Sequence, residues 1–155
     1  MSTEYTNYTI DKVMSANLID TQKLSVMDVE NFMHPDLYSK VMNKLKTFNN
    51  WHQSEIQGRK PFHLGGNEGV PEVFLVARDS VWNNTLVNDA IRSRFGFEHD
   101  VDIGDPLMWQ DDNTNSISDV HVDSPAYYYT YQHCLATDDE FAHTGTKFWE
   151  VDCLY

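Results

Sequence analysis

Residues 119–131 read Asp-Val-His-Val-Asp-Ser-Pro-Ala-Tyr-Tyr-Tyr-Thr-Tyr. Valine and tyrosine crowd both sides of Pro125, the composition of pleated, half-buried strands. On a strand, residues i and i+2 leave from the same face, so His121 and Asp123 project together and Val122 turns the other way. One imidazole and one carboxylate on a common face supply two vertices of the facial triad that holds non-haem Fe(II). Any His-x-Asp in any strand meets that pattern. Taken without context, a surface or hydrogen-bonded polar pair is the favoured reading.

Working outward, the same character extends from about residue 105 to the end. The stretches PLMWQ, ISDVHVD, AYYYTYQHCLA and TKFWEVDCLY all read as strands, broken by DDNTN and DDEFAHTG. Upstream, the periodicity changes. In HPDLYSKVMNKLKTFNNW (34–51), Leu37, Tyr38, Val41, Met42, Leu45 and Phe48 fall on one helical face. Pro35 suits the first turn, Asp36 lies at the positive end of the helix dipole, and Asn49-Asn50 stops the run. A second helix is expected over 79–96. Asp79 or Ser80 would cap it, with a stripe of Val81, Trp82, Leu86, Val87, Ala90 and Ile91. Arg92 and Arg94 sit at its negative end, before a Gly96 C-cap.

PEVFLVA (71–77) reads as a short strand. KLSVMDVENF (23–32) reads as another, with Leu24, Val26, Val29 and Phe32 inward. The glycine-rich stretch 52–70 reads as a long loop, and residues 1–21 as an irregular arm or a short strand at best. Helices followed by a run of antiparallel strands indicate an α+β domain. Its expected parts are an arm at 1–21, a helical support region at 22–104 and a strand region at 105–155.

Eleven Lys+Arg against 24 Asp+Glu give a formal charge of -13 and a pI near 4.7. That field repels phosphate backbones, so nucleic acid is an unfavoured partner, and solubility is the simple account of the acidity. No apolar run approaches the length needed to cross a bilayer, and the N-terminus lacks the pattern of a secretory signal. A cytoplasmic location is therefore expected, without membrane partners. Cys134 and Cys153 share no metal-type spacing and are expected to be free, buried thiols.

Three stretches, in order, resemble the Fe(II)/2-oxoglutarate-dependent dioxygenases, especially their prolyl 4-hydroxylase branch. VMDVENFMHPDLYSKVMNKLKTFNNW is similar to the family's opening strand and helix, HVD matches its His-x-Asp, and YYYTYQHCLATDDEFAHTGTKFWE resembles the strand, acidic turn and Gly-x-x-Phe strand that follow. The resemblance covers roughly residues 24–150. It implies a double-stranded β-helix (jelly-roll, cupin-like) packed against N-terminal helices. It also implies Fe(II) held by His121 and Asp123, and 2-oxoglutarate as a cosubstrate whose decarboxylation drives hydroxylation of a small molecule or a protein side chain. Tyrosines of neighbouring strands often line the family's cosubstrate pocket, which makes Tyr129 and Tyr131 candidate contacts. Core packing is the favoured alternative for both.

The family pattern also calls for a distal histidine and, beyond it, a basic residue for the far carboxylate of 2-oxoglutarate. His133, His143 and Lys147 are the only downstream candidates, and none matches by position. Two explanations are open: a fragment of a longer enzyme, which an end on an apolar strand favours, or a shortened relative that keeps the scaffold for binding without catalysis. An unfinished sheet would leave an exposed edge that a second copy of the chain could cover. A cupin-like centre completed by His133 or His143 is a weaker third reading.

The remaining candidates have simpler accounts. His34 reads as a helix-entry residue. His52, Arg59, Lys60 and His63 read as a solvated loop that could meet an anionic substrate. His99, Asp100 and Asp102 form a loop-borne cluster, and Asp111, Asp112, Asp138, Asp139 and Glu140 suit turn chemistry.

Overall fold

The computed structural model describes residues 3–22, 24–53, 59–97, 103–111 and 129–135. Helices and antiparallel strands are both present, so the α+β class holds. The helices are α1 (Thr3–Ser15), α2 (Pro35–Leu45), α3 (Glu72–Ala77) and α4 (Thr85–Phe95). The strands form two pairs, β1 (Asn17–Asp20) with β2 (Ser25–Asp28) and β3 (Arg59–His63) with β4 (Leu107–Asp111). No barrel closes among the described residues.

The segment expected to be an arm begins with α1 and continues into β1. Its buried positions, Tyr5, Thr6, Thr9 and Val13, recur at helical spacing. Two of the four are threonines, so no apolar stripe marked the helix in the sequence. The Thr6 hydroxyl donates to the Ser80 carbonyl at 2.9 Å, and the Thr9 hydroxyl donates to the Phe32 carbonyl at 2.8 Å. These bonds satisfy hydroxyls that burial would otherwise penalise. At the other end of α1, Arg94 of α4 donates to the carbonyls of Val13 and Met14, both at 2.8 Å, and of Ala16 at 2.7 Å. A guanidinium thus closes the carbonyls a helix C-terminus leaves open and meets the negative end of its dipole. The sequence had assigned Arg94 to the end of its own helix; it serves the neighbouring one.

The expected strand at 23–32 shortens to β2, which pairs antiparallel with β1 in the register Leu18↔Met27 and Ile19↔Val26. Val26 and Val29 are half-buried, and only Phe32 of the four expected inward residues reaches the core. The chain then enters α2, where Leu37 and Val41 are fully buried. His34 caps this helix: its Nδ1 accepts from the Asp36 amide at 3.1 Å, and Pro35 follows at the first helical turn.

PEVFLVA is a helix, α3, not a strand. A continuous apolar run has no period of its own, and here Pro71 and Glu72 open a helical turn. Phe74 and Ala77 then point into the core together with Val81 on the following π-helical turn, Arg78–Trp82. That turn closes with a long-reach bond from the Asn83 amide to the Arg78 carbonyl at 2.7 Å. The second expected helix therefore starts later than its apolar stripe suggested. Asn84 is the cap: its Oδ1 accepts from the amides of Leu86 at 3.0 Å and Val87 at 3.2 Å, while its Nδ2 donates to the Asp79 carbonyl at 2.9 Å. Leu86, placed in that stripe, is 59% exposed. Gly96 ends α4 with φ 75°, a left-handed conformation that a Cβ would strain.

The stretch 52–70 is not wholly a loop, because β3 lies within it and pairs antiparallel with β4, the strand expected at PLMWQ. Phe62 and Met108 oppose each other on the buried face. Phe48 joins this sheet to the helices, its ring 4.9 Å from Phe62 and 5.3 Å from Phe74 in edge-on geometry. The glycine-rich turn after β3 packs closely on the chain before β4. A Cβ on Gly65 would lie 2.6 Å from Asp105 Oδ2. Arg78 pins the same turn, donating to the carbonyls of Leu64 at 3.1 Å and Gly66 at 2.9 Å and to Asn67 Oδ1 at 2.9 Å.

The strand expected over AYYYTYQHCLA is described only at 129–135, where the backbone has no regular secondary structure. The strands expected at ISDVHVD and TKFWEVDCLY lie outside the described residues. Cys134 is a free thiol but exposed rather than buried.

Candidate functional site

Residues 129–135 are held on the helical layer by side chains. The Trp82 indole N–H donates to His133 Nδ1 at 3.1 Å, and the Tyr131 hydroxyl donates to the Trp82 carbonyl. Phe32 presents its ring to both: its centroid lies 5.2 Å from His133, edge-on, and 6.1 Å from Tyr131. Further along, the Tyr38 hydroxyl of α2 donates to the Leu135 carbonyl at 3.2 Å. Tyr129 stacks on Phe95 and Phe97, with centroids 6.1 and 5.9 Å away. A segment without secondary structure is thus fixed at four points along its length.

Burial sets the protonation of this cluster. It lowers the His133 pKa to about 4, so the imidazole is neutral at pH 7. An indole nitrogen only donates, so Nδ1 is the acceptor and the ring proton sits on Nε2. A metal-bound histidine also has one bare nitrogen and one N–H, but there the bare nitrogen faces the metal, whereas in His133 it faces the Trp82 indole. In this packing the bare nitrogen of His133 is occupied by the indole N–H. Burial also raises the pKa values of Tyr129, Tyr131 and Tyr38, so their hydroxyls stay protonated at neutral pH.

The candidate metal ligands His121 and Asp123 lie outside the described residues, as do His99, Asp100, Asp102 and His143. Tyr129 and Tyr131, the candidate cosubstrate contacts, have different packing partners. One stacks against the end of α4 and the other hydrogen-bonds to the π-helical turn. Residue Tyr131 retains 38% exposure while its hydroxyl end is tucked against Trp82.

Among the described residues no group of three His, Cys, Asp or Glu side chains could hold a metal ion. His52 and His63 come together, ring centroids 5.8 Å apart, and the Arg59 guanidinium lies 5.4 Å over the Trp109 ring. The loop histidines and the basic pair are therefore brought to the β3–β4 sheet. Trp109 of that sheet is 43% exposed.

A concave feature lies between α1, α2 and α3, and sequence reading missed it because α1 was not foreseen. It is a cleft of about 250 Å³ lined by Tyr5, Leu37, Lys40, Glu72, Val73 and Val76. At its edge the Tyr5 hydroxyl donates to the Asp36 carboxylate. Lys40 pairs with Asp36 at 3.0 Å and donates to the Tyr5 oxygen at 3.3 Å. The bond to Asp36 raises the Tyr5 pKa, and the bond from Tyr5, seconded by Lys40, lowers that of Asp36. All three groups therefore keep their ordinary neutral-pH charges.

Among the described residues no helix is long and apolar enough to cross a membrane. No protein-family model, no curated protein and no solved structure matches this chain.

Proposed function

We propose that the chain is an Fe(II)/2-oxoglutarate oxygenase-type domain, whole or in part, in which His121 and Asp123 bind Fe(II). Residues 105–155 would then contribute the first strands of a double-stranded β-helix, beginning with β4, on a support of α1–α4. The observation that carries this reading is the His-x-Asp pair itself, a same-face imidazole and carboxylate if the stretch is extended. Support comes from its surroundings. The strand-into-helix opening is present as β2 followed by α2, and the chain just downstream of the pair is anchored to the helical layer through Trp82. No third ligand and no basic group for a 2-oxoglutarate carboxylate is assigned, so no reaction step is derived. When bound, the iron would supply oxygen activation for C–H hydroxylation. This chain's own part is to hold the metal and, through Phe32, Trp82, Tyr131 and His133, to fix the segment next to it.

Anaerobic Fe(II) titration with and without 2-oxoglutarate tests the proposal. The expected result is one site that tightens with 2-oxoglutarate and is lost in both His121→Ala and Asp123→Ala. A second reading, a non-catalytic binding or scaffold domain, is favoured by one observation: Tyr129 and Tyr131 are committed to packing. Absence of Fe(II) binding by the folded wild-type chain would establish that second reading over the first.

A further inference from the structure

The cleft between α1, α2 and α3 belongs to none of the chemistry above. Its floor is aliphatic: Leu37 is fully buried, and Val73 and Val76 of α3 stand beside it. Two opposite charges border that floor from different helices, the Lys40 ammonium on α2 and the Glu72 carboxylate at the start of α3. Lys40 carries three donors, of which Asp36 and Tyr5 take two, so one remains for a ligand. The hydrogen-bond ring of Tyr5, Asp36 and Lys40 also holds the ammonium at the rim.

We propose that this cleft binds a small aliphatic zwitterion, a free amino acid of the leucine or valine class. Its carboxylate would meet Lys40, its ammonium would meet Glu72, and its side chain would cover Val73 and Val76 above the buried Leu37. Charge complementarity selects this class over the alternatives. A simple organic anion would face Glu72 and Asp36 as well as the chain's net charge of -13. A simple cation would face Lys40. A hydrocarbon alone would partly desolvate the Glu72 carboxylate and the third Lys40 donor without supplying a partner to either. Since both charges are exposed, recognition is expected to be weak and salt-sensitive.

The test is a methyl NMR titration of the full chain with L-leucine, isovalerate, isoamylamine and glycine. Isovalerate and isoamylamine each lack one of leucine's charges, and glycine lacks its side chain. Leucine should shift the methyls of Leu37, Val73 and Val76 and bind roughly fivefold more tightly than any of the other three. Lys40→Met keeps the aliphatic stem and should weaken leucine by a similar factor while sparing isoamylamine. Glu72→Gln should weaken leucine and spare isovalerate. Both side chains are at the surface, so the variants should fold. The proposal is overturned if leucine leaves those methyls unmoved, if the four ligands bind alike, or if neither variant discriminates between them.

Discussion

The helical layer and the segment at 129–135 are built on opposite plans. In the layer, Val13, Leu37, Val41, Phe74, Val81 and Val87 are all but inaccessible to solvent, and helix ends are closed by specific partners such as Asn84 and Arg94. The segment has no backbone ladder of its own. It is held by the Trp82 indole and the Tyr38 phenol of the layer, and by ring contacts with Phe32 and Phe95. The segment's conformation therefore depends on the layer.

The largest effect should come from the layer. Phe74→Ala removes a fully buried ring at the meeting point of α3, Phe48 and the β3–β4 sheet. It should cost about 3–5 kcal/mol in chemical denaturation and loosen both regions together. Next comes a pH effect that originates in the segment. The folded pKa of His133 is about 4 against an ordinary 6.5. Between those values only the unfolded chain takes up the proton, so stability should fall as pH drops from 6.5 toward 4 and then level off. The loss is up to roughly 3 kcal/mol. His133→Gln retains an acceptor for the indole and should flatten that part of the pH profile, as read by Trp fluorescence melts.

Arg94→Met should cost about 2 kcal/mol, because three carbonyls of the α1 terminus lose charge-assisted donors at once. Arg94→Lys should restore only part of it, since a lysine cannot fork across three acceptors. The smallest change is Tyr131→Phe, which removes one hydrogen bond to Trp82. It should cost about 1 kcal/mol and increase amide exchange at 129–135 while leaving α4 unchanged. Equal loosening of α4 would mean that the two regions are one cooperative unit.

The elements legible in the sequence were those whose burial is apolar and periodic. α2 announced itself through Leu37, Val41 and Leu45, and α4 through Val87, Ile91 and its Gly96 cap. β4 was visible in its β-prone composition. α1 was not legible, because it docks through the hydroxyls of Thr6 and Thr9, whose acceptors at Ser80 and Phe32 are distant in sequence. α3 was misread because PEVFLVA has no period to separate strand from helix, and tertiary contact decided. The π-helical turn then moved the α4 cap from Asp79 or Ser80 to Asn84. At the candidate site, the pairing of His133 with Trp82 joins residues from opposite ends of the pattern and had no local signature. The zwitterion cleft could not be foreseen at all, since one of its three walls is α1.

The most direct measurement is hydrogen exchange on the full chain with and without Fe(II) and 2-oxoglutarate, in wild type and in His121→Ala. If iron binds at His121 and Asp123 beside a segment carried by a preformed layer, the metal should slow exchange at 129–135. Exchange in α1 and α4 should not change, and the effect should vanish in His121→Ala. No change at 129–135, or the same slowing in His121→Ala, would contradict both the metal assignment and the division between support and responsive segment.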